Sequence, residues 1–316
     1  MMRQATESKH YAANRAETRA QPSDPLALTQ IAAGVDGYPE GRDAVALAAA
    51  LSRLTGGDLL LVAVHSGPLV VLPAEVDWKS VDAQARAMLV QARDAVAPEA
   101  RITVETDLSV ARALHRVCER DHRGLLVVGS SRQAAPGCVR IGRRTRQLLS
   151  HCECALAVAP RGLHEDPDLT FATIGVGYDG EPESHAALAL GSAIAAAAGA
   201  ELHVCAVVDD RPPAVGWAPI GLGQTLSDWR EVVQENVSSL REQALGAVAG
   251  ENANVEIESV TGRPASALLA LAERVDLLVI GSRRWGPASR VLLGSTGEAL
   301  MHEAACPVVA VPRPAS

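Results

Sequence analysis

The chain has 316 residues, of which 48% are hydrophobic, 21% charged and only 3% aromatic, and its net charge is −8. That length suits two domains of ordinary size, each with a core of its own. The acidic balance argues against broad nucleic-acid binding, and the scarcity of aromatics argues against platforms that stack single strands.

In chain order, residues 1–27 are polar, rich in Ala, Glu, Gln and Ser, and lack the apolar run of a secretory signal; they read as a disordered leader. Residues 29–35 form a short apolar strand ending at Asp36-Gly37. Residues 42–55 have helical spacing and stop at Gly56-Gly57. Residues 59–65 are continuously apolar, as in a strand buried on both faces. A helix over 78–96, a strand over 101–105, a short helix over 112–119 and a strand over 125–129 follow. A loop, a helix over 144–151 and a strand over 155–159 complete the first half. Residues 161–168 are polar and contain proline, which suits a linker between a domain at 28–160 and another at 169–313.

The second half repeats the order. It has strands over 171–177, 202–208, 255–260, 277–281 and 308–311, with helices over 184–198, 227–249, 265–274 and 295–303. From Gly129 and Gly281 onward the copies run in register without a gap, through Gly142/Gly294, Cys154/Cys306 and Pro160/Pro312. A repeat of this length is a whole domain rather than a solenoid unit. Alternating strands and helices with buried apolar strands give an α/β fold, two tandem Rossmann-like domains, each a doubly wound parallel sheet.

No apolar stretch reaches the roughly 18 residues of a membrane span. The six cysteines are scattered, which fits reduced thiols in a cytoplasm better than a disulfide framework. His151-Cys152-Glu153-Cys154 lacks a second ligand pair at zinc spacing and reads as small thiols before a strand, so no metal site is assigned. The only lysines are Lys9 and Lys79, and neither follows a glycine, which removes P-loop chemistry.

In such sheets ligands sit beyond the carboxyl ends of the strands, where strand order reverses. Asp36 and Asp179 end the first strand of each copy, and Gly129-Ser130 and Gly281-Ser282 end the fourth. The glycine there lets backbone approach a ligand and permits positive φ. Gly294-Ser295-Thr296 opens a helix, and that start serves equally as an N-cap or as a seat for phosphate. The aspartates alone serve as turn residues or as ligand contacts.

Together these residues resemble the universal stress protein family in its tandem form. Val35-Asp36-Gly37 and Tyr178-Asp179-Gly180 match the family's opening signature. The nucleotide motif (Gly, two residues, Gly, nine residues, Gly, then Ser or Thr) stands as Gly281-Ser282-Arg283-Arg284, nine residues, Gly294-Ser295. In the first copy it stands as Gly129-Ser130-Ser131-Arg132, nine residues, Gly142-Arg143. His302 to Val308 matches the family's His-x-x-x-Cys-Pro-Val ending. The resemblance implies five-stranded sheets of order 3-2-1-4-5 that bind an adenine nucleotide, with some members binding ATP and others not. Carried residue by residue, the adenine side falls to Asp179 and Val207, and ribose and phosphates to Gly281, Arg284, Gly294, Ser295 and Thr296. Asp36, Gly129 and Gly142 are the matching positions in the first copy.

The departures fall on arginine. Arg132 and Arg284 replace the motif's second glycine, so each either pairs with phosphate or is a solvated loop residue. A positive φ there would cost about 1 kcal/mol. Arg143 replaces the hydroxyl residue, and Gly124 stands where the second copy has Asp276. The first copy therefore reads as degenerate, and its Arg132, Arg140, Arg143, Arg144 and Arg146 as a solvated basic face in preference to an anion clamp. The resulting expectation is a cytoplasmic stress-response regulator that binds ATP, carried with Mg²⁺, mainly in the second domain, and self-associates. Its protein partners are unidentified, and nucleic acid and membrane are excluded. His185 and His302 belong to no catalytic set, so no enzyme is assigned; the alternatives are a nucleotide-free scaffold and a slow ATPase.

Overall fold

A computed structural model describes residues 28–67, 77–149, 153–166, 168–211, 222–248, 254–282 and 293–312. The leader, His151, Cys152 and residues 212–221, a proline- and glycine-rich stretch that includes Pro212, Pro213, Trp217 and Pro219, lie outside these residues.

The first half runs β1 (Gln30–Gly34), α1 (Pro39–Thr55), β2 (Asp58–His65), α2 (Trp78–Val96), β3 (Arg101–Thr106), α3 (Val110–Arg120), β4 (Leu125–Gly129), α4 (Arg143–Leu149) and β5 (Ala155–Ala159). The second runs β6 (Thr173–Tyr178), α5 (Pro182–Ala198), β7 (Glu201–Val208), α6 (Leu222–Val248), β8 (Val255–Thr261), α7 (Pro264–Ala272), β9 (Leu277–Gly281), α8 (Ser295–Glu303) and β10 (Val308–Val311). Helix α1 starts earlier than the apolar spacing predicts. Pro39 takes its first position, where the missing N–H costs nothing, and Glu40 favours the positive end of the helix dipole. Gly56 ends it in the left-handed region at φ 63°. Helix α5 copies this with Pro182, Glu183 and Gly199.

Each half has strand order 3-2-1-4-5, but the two sheets are one. The order is β3-β2-β1-β4-β5-β10-β9-β6-β7-β8, joined by an antiparallel β5–β10 pair with Val158 opposite Val308. All other pairs are parallel. Both seam strands are buried along their whole length, so each half covers an apolar edge that would otherwise be open. The expectation of separate cores is corrected by this continuity. One apolar layer, beneath α1, α2, α5 and α6, runs from Ile31 and Leu61 through Ala157 and Val309 to Ile174 and Leu202. The opposite layer, beneath α3, α4, α7 and α8, likewise spans both halves.

Residues 161–168 are tied down at their start. They carry a 3-10 turn, Leu163–Glu165, and the fully buried Asp43 of α1 accepts the N–H groups of Gly162 (3.0 Å) and His164 (2.9 Å) and pairs with the His164 ring. The Gly124/Asp276 difference also proves structural. In the first half the buried Arg123 bonds the Asp58 carboxylate (2.7 Å) and the Asp58 carbonyl (3.0 Å), fixing the start of β2. In the second, Asp276 accepts from Ala172 N–H (2.8 Å), Thr173 N–H (2.9 Å) and Thr173 Oγ1 (3.0 Å), fixing the start of β6. Among the described residues no helix is long and apolar enough to cross a membrane.

Candidate functional site

Two crevices open beyond the carboxyl ends of the strands, one at each reversal of strand order. The first, of about 400 Å³, brings together Asp36, Gly129, Arg132, Gly142, Arg143 and Arg144, with Thr145 at its side. The second, of about 250 Å³, brings together Asp179, Val207, Gly281, Gly294, Ser295 and Thr296. Arg284 lies outside the described residues. Every other residue assigned to the nucleotide in the sequence thus lines one of the two crevices, whereas Arg140 and Arg146 line neither.

The aspartates are set by the same turn. Asp36 Oδ1 accepts the N–H of Tyr38 at 3.2 Å, and Asp179 Oδ1 accepts that of Glu181 at 3.1 Å. In each case the bond orders the chain just before a helix while the outer carboxylate edge stays on the crevice. Burial pushes the Asp36 carboxyl above its ordinary range and the nearby Glu40 adds to this; Tyr38 N–H, Arg144 and Arg132 oppose it. Glu40 and Glu183, both buried in the first helical turn, were missed by sequence reasoning. Oε2 of Glu40 is enclosed without a hydrogen bond. The signal was the Pro-Glu pair that follows the aspartate turn in both copies.

Gly129 and Gly281 are glycine for a reason other than the one expected. Neither has positive φ. A Cβ on Gly281 would stand 2.7 Å from the carbonyl carbon and oxygen of Glu183, and one on Gly129 would overlap the carbonyl of Glu40. The first turn of α1 or α5 rests directly on the end of the fourth strand, and that contact fixes the crevice floor. Gly142 has no such need, since a Cβ there would make ordinary contact with Ser131.

The arginine departures also resolve in the first copy. Among the described residues the only non-glycine with positive φ is His122, so Arg132 carries no such strain. Its guanidinium lies 4.4 Å from the centre of the Tyr38 ring, at the crevice mouth. Arg132, Arg143 and Arg144 are all exposed and line the crevice. The loop behind them is fixed by Ser130 Oγ donating to Ala159 O (2.7 Å) and by Ser131 N–H donating to Arg140 O (2.7 Å).

In the second copy Gly294 is the N-cap of α8, and among the described residues no side chain makes the cap bond. Ser295 and Thr296 therefore do not serve as the N-cap, and their hydroxyls are not spent on that bond. The first turn of α8 lines the crevice with N–H groups at the positive end of the helix dipole. The other end of α8 holds the first copy's loop, through Ile141 N–H to Met301 O (2.8 Å) and Val139 N–H to Ala304 O (2.8 Å). His302 Nε2 meets Arg146 of α4 at 2.9 Å, and His185 stands edge-on to Tyr178, its Nε2 3.2 Å from the hydroxyl. Both histidines thus have structural partners.

A model of the universal stress protein family matches residues 28–160 and again 170–312. A universal stress protein of Mycobacterium tuberculosis (strain H37Rv) is 28% identical over 225 residues, covering 69% of this chain and 72% of that protein. One from Mycolicibacterium smegmatis is 28% identical over 296 residues, covering 89% of this chain and 96% of the other. Among solved structures, a universal stress protein from Archaeoglobus fulgidus superposes with a TM-score of 0.63 at 17% identity, over 90% of this chain and 99% of that one.

Proposed function

This chain belongs to the universal stress protein family, and we propose that it binds ATP or a related adenine nucleotide in the second crevice as a regulator in the cytoplasm. The observation that carries the reading is the meeting, in one crevice, of Asp179, Val207, Gly281 and the uncapped start of α8 with Ser295 and Thr296. A carboxylate at the end of β6 and the backbone of β7 suit the hydrogen-bonding edge of adenine. The glycine floor admits a flat ligand, and the helix start with its two hydroxyls suits phosphate, with Mg²⁺ bound between phosphate oxygens. In this reading the nucleotide acts as a signal.

The test is calorimetric titration of the intact chain with ATP and Mg²⁺, after native mass spectrometry for co-purified nucleotide. Ser295→Ala and Asp179→Ala each remove a bond to a charged or polar group, worth about 1.5–3 kcal/mol, and should weaken binding about tenfold or more. No binding by the intact chain leaves the nucleotide-free scaffold, and steady ATP turnover lost in both variants makes the protein a slow ATPase. A second reading has its own observation. The first crevice, with Arg132, Arg143 and Arg144 on its walls, is a further seat for an anionic ligand.

A further inference from the structure

Glu201 and His203 lie two residues apart on β7, so their side chains stand side by side on one face of the sheet. The register sets Glu256 of β8 directly opposite His203 on the same face. Two ligands on one strand and a third facing them across the ladder form a compact donor set. Glu201 Oε2 stands 3.4 Å from His203 Nε2, and Glu256 Oε2 stands 3.4 Å from Nδ1. One donor atom from each residue lies within 4.8 Å of the other two. His203 Nε2 is enclosed and makes no hydrogen bond. Among the described residues both carboxylates have His203 as their ion-pair partner.

The first copy holds a different pair at this position. There the register sets Leu60 opposite Arg101, and Arg101 Nε donates to Asp58 at 3.0 Å. Asp58 occupies the place of Glu201, so a carboxylate–arginine pair ties the sheet's outer strand β3 to β2. The second copy has exchanged leucine for histidine and arginine for glutamate. At the join with the other outer strand, β8, it has no matching guanidinium but a histidine and a second carboxylate.

We propose that Glu201, His203 and Glu256 bind a divalent cation of the zinc class, which replaces the missing arginine as the tie between β7 and β8. Ligands of one tetrahedral zinc ion at bonds of 2.0–2.2 Å stand about 3.4 Å apart, the separation of the Glu201–His203 pair. Rotation of the exposed Glu256 carboxylate towards Nε2 closes the set, and water completes it from solvent. The site sits at the amino ends of the strands, away from both crevices, and is independent of the nucleotide reading. It was hidden in the sequence because Glu256 joins the pair only through strand register.

Untagged full-length protein, stripped with chelator and dialysed, is titrated with zinc chloride by calorimetry and followed by thermal unfolding. The expected result is one equivalent bound, with a melting temperature that rises with zinc. His203→Ala should weaken uptake about tenfold or more, and so should Glu256→Arg. The second variant rebuilds the first copy's ion pair with Glu201, so it should fold and stay stable without zinc. The proposal is overturned if the wild type takes up no stoichiometric zinc. It is equally overturned if both variants bind zinc as the wild type does.

Discussion

Gly281→Ala adds one methyl group where the fold has no room for it. The new Cβ would stand 2.7 Å from the carbonyl carbon and oxygen of Glu183 and 2.9 Å from its Cβ. Relaxed contacts between carbons are about 3.5–4.0 Å, so the first turn of α5 must retreat by roughly 0.8 Å or more. These are backbone atoms at a helix start, and no flexible side chain can give way instead. Overpacking of this kind costs about 1–3 kcal/mol, or a melting temperature lower by about 2–4 °C for each kcal/mol. The retreat also carries the Asp179 turn away from the crevice, so ATP affinity should fall with stability. Gly246→Ala is the control. Gly246 lies in α6 with nothing within 4 Å of its added Cβ, and there the same methyl should stabilise by about 0.5–1 kcal/mol. Urea unfolding of both variants, with calorimetry on the first, decides. A Gly281→Ala protein that matches the wild type in stability and affinity would refute the reading of the crevice floor.

Asp58→Asn should cost about 2 kcal/mol near neutral pH, because it leaves the buried Arg123 guanidinium poorly paired; the third of Asp58 that is exposed keeps the figure below the 3–5 kcal/mol typical of an enclosed pair. Hydrogen bonds from Arg101 and Arg123 hold the Asp58 carboxyl below 3.8, so its stabilisation is complete above that pH and is lost as pH falls through the folded-state value. Wild type and variant should therefore converge in acid, and parallel urea curves down to pH 3 check this. Asp276→Gly, which installs the first copy's residue, removes the acceptor of three bonds at the start of β6 and should cost about 2–3 kcal/mol by the same measurement. Burial pushes the Cys205 and Cys306 thiols up to about 12, so iodoacetamide at pH 8 followed by peptide mass spectrometry should mark the half-exposed Cys138 well before either.

The repeat and the alternation of strand and helix were legible because they rest on local patterns. Leucine- and valine-rich runs such as 125–129 and 277–281 declare buried parallel strands, and Gly56 and Gly199 declare helix ends. The residues lining each crevice were legible too, since topology places the ends of the first and fourth strands side by side. What remained hidden depends on contacts between distant segments. Ala155–Ala159 reads as a buried strand whether it ends a sheet or meets β10. Arg132 looks like a poor substitute for glycine until Tyr38 is beneath it, and Asp43 looks like an ordinary helix residue until the segment after β5 folds back onto it. The steric reason for Gly281 needs the helix start of α5 in place. The Glu201, His203 and Glu256 trio needs the register of β8.

The antiparallel join of β5 to β10 has an evolutionary reading. Each half, cut free, would present a bare row of backbone donors flanked by alanine and valine, and would seek any neighbour offering the same. Tethering the copies in one polypeptide guarantees that each has its sibling at hand. Once the match is guaranteed, the siblings need no longer be interchangeable. One can gather arginines around its mouth while the other sets a glutamate where its sibling has a guanidinium, and neither change must be tolerated twice.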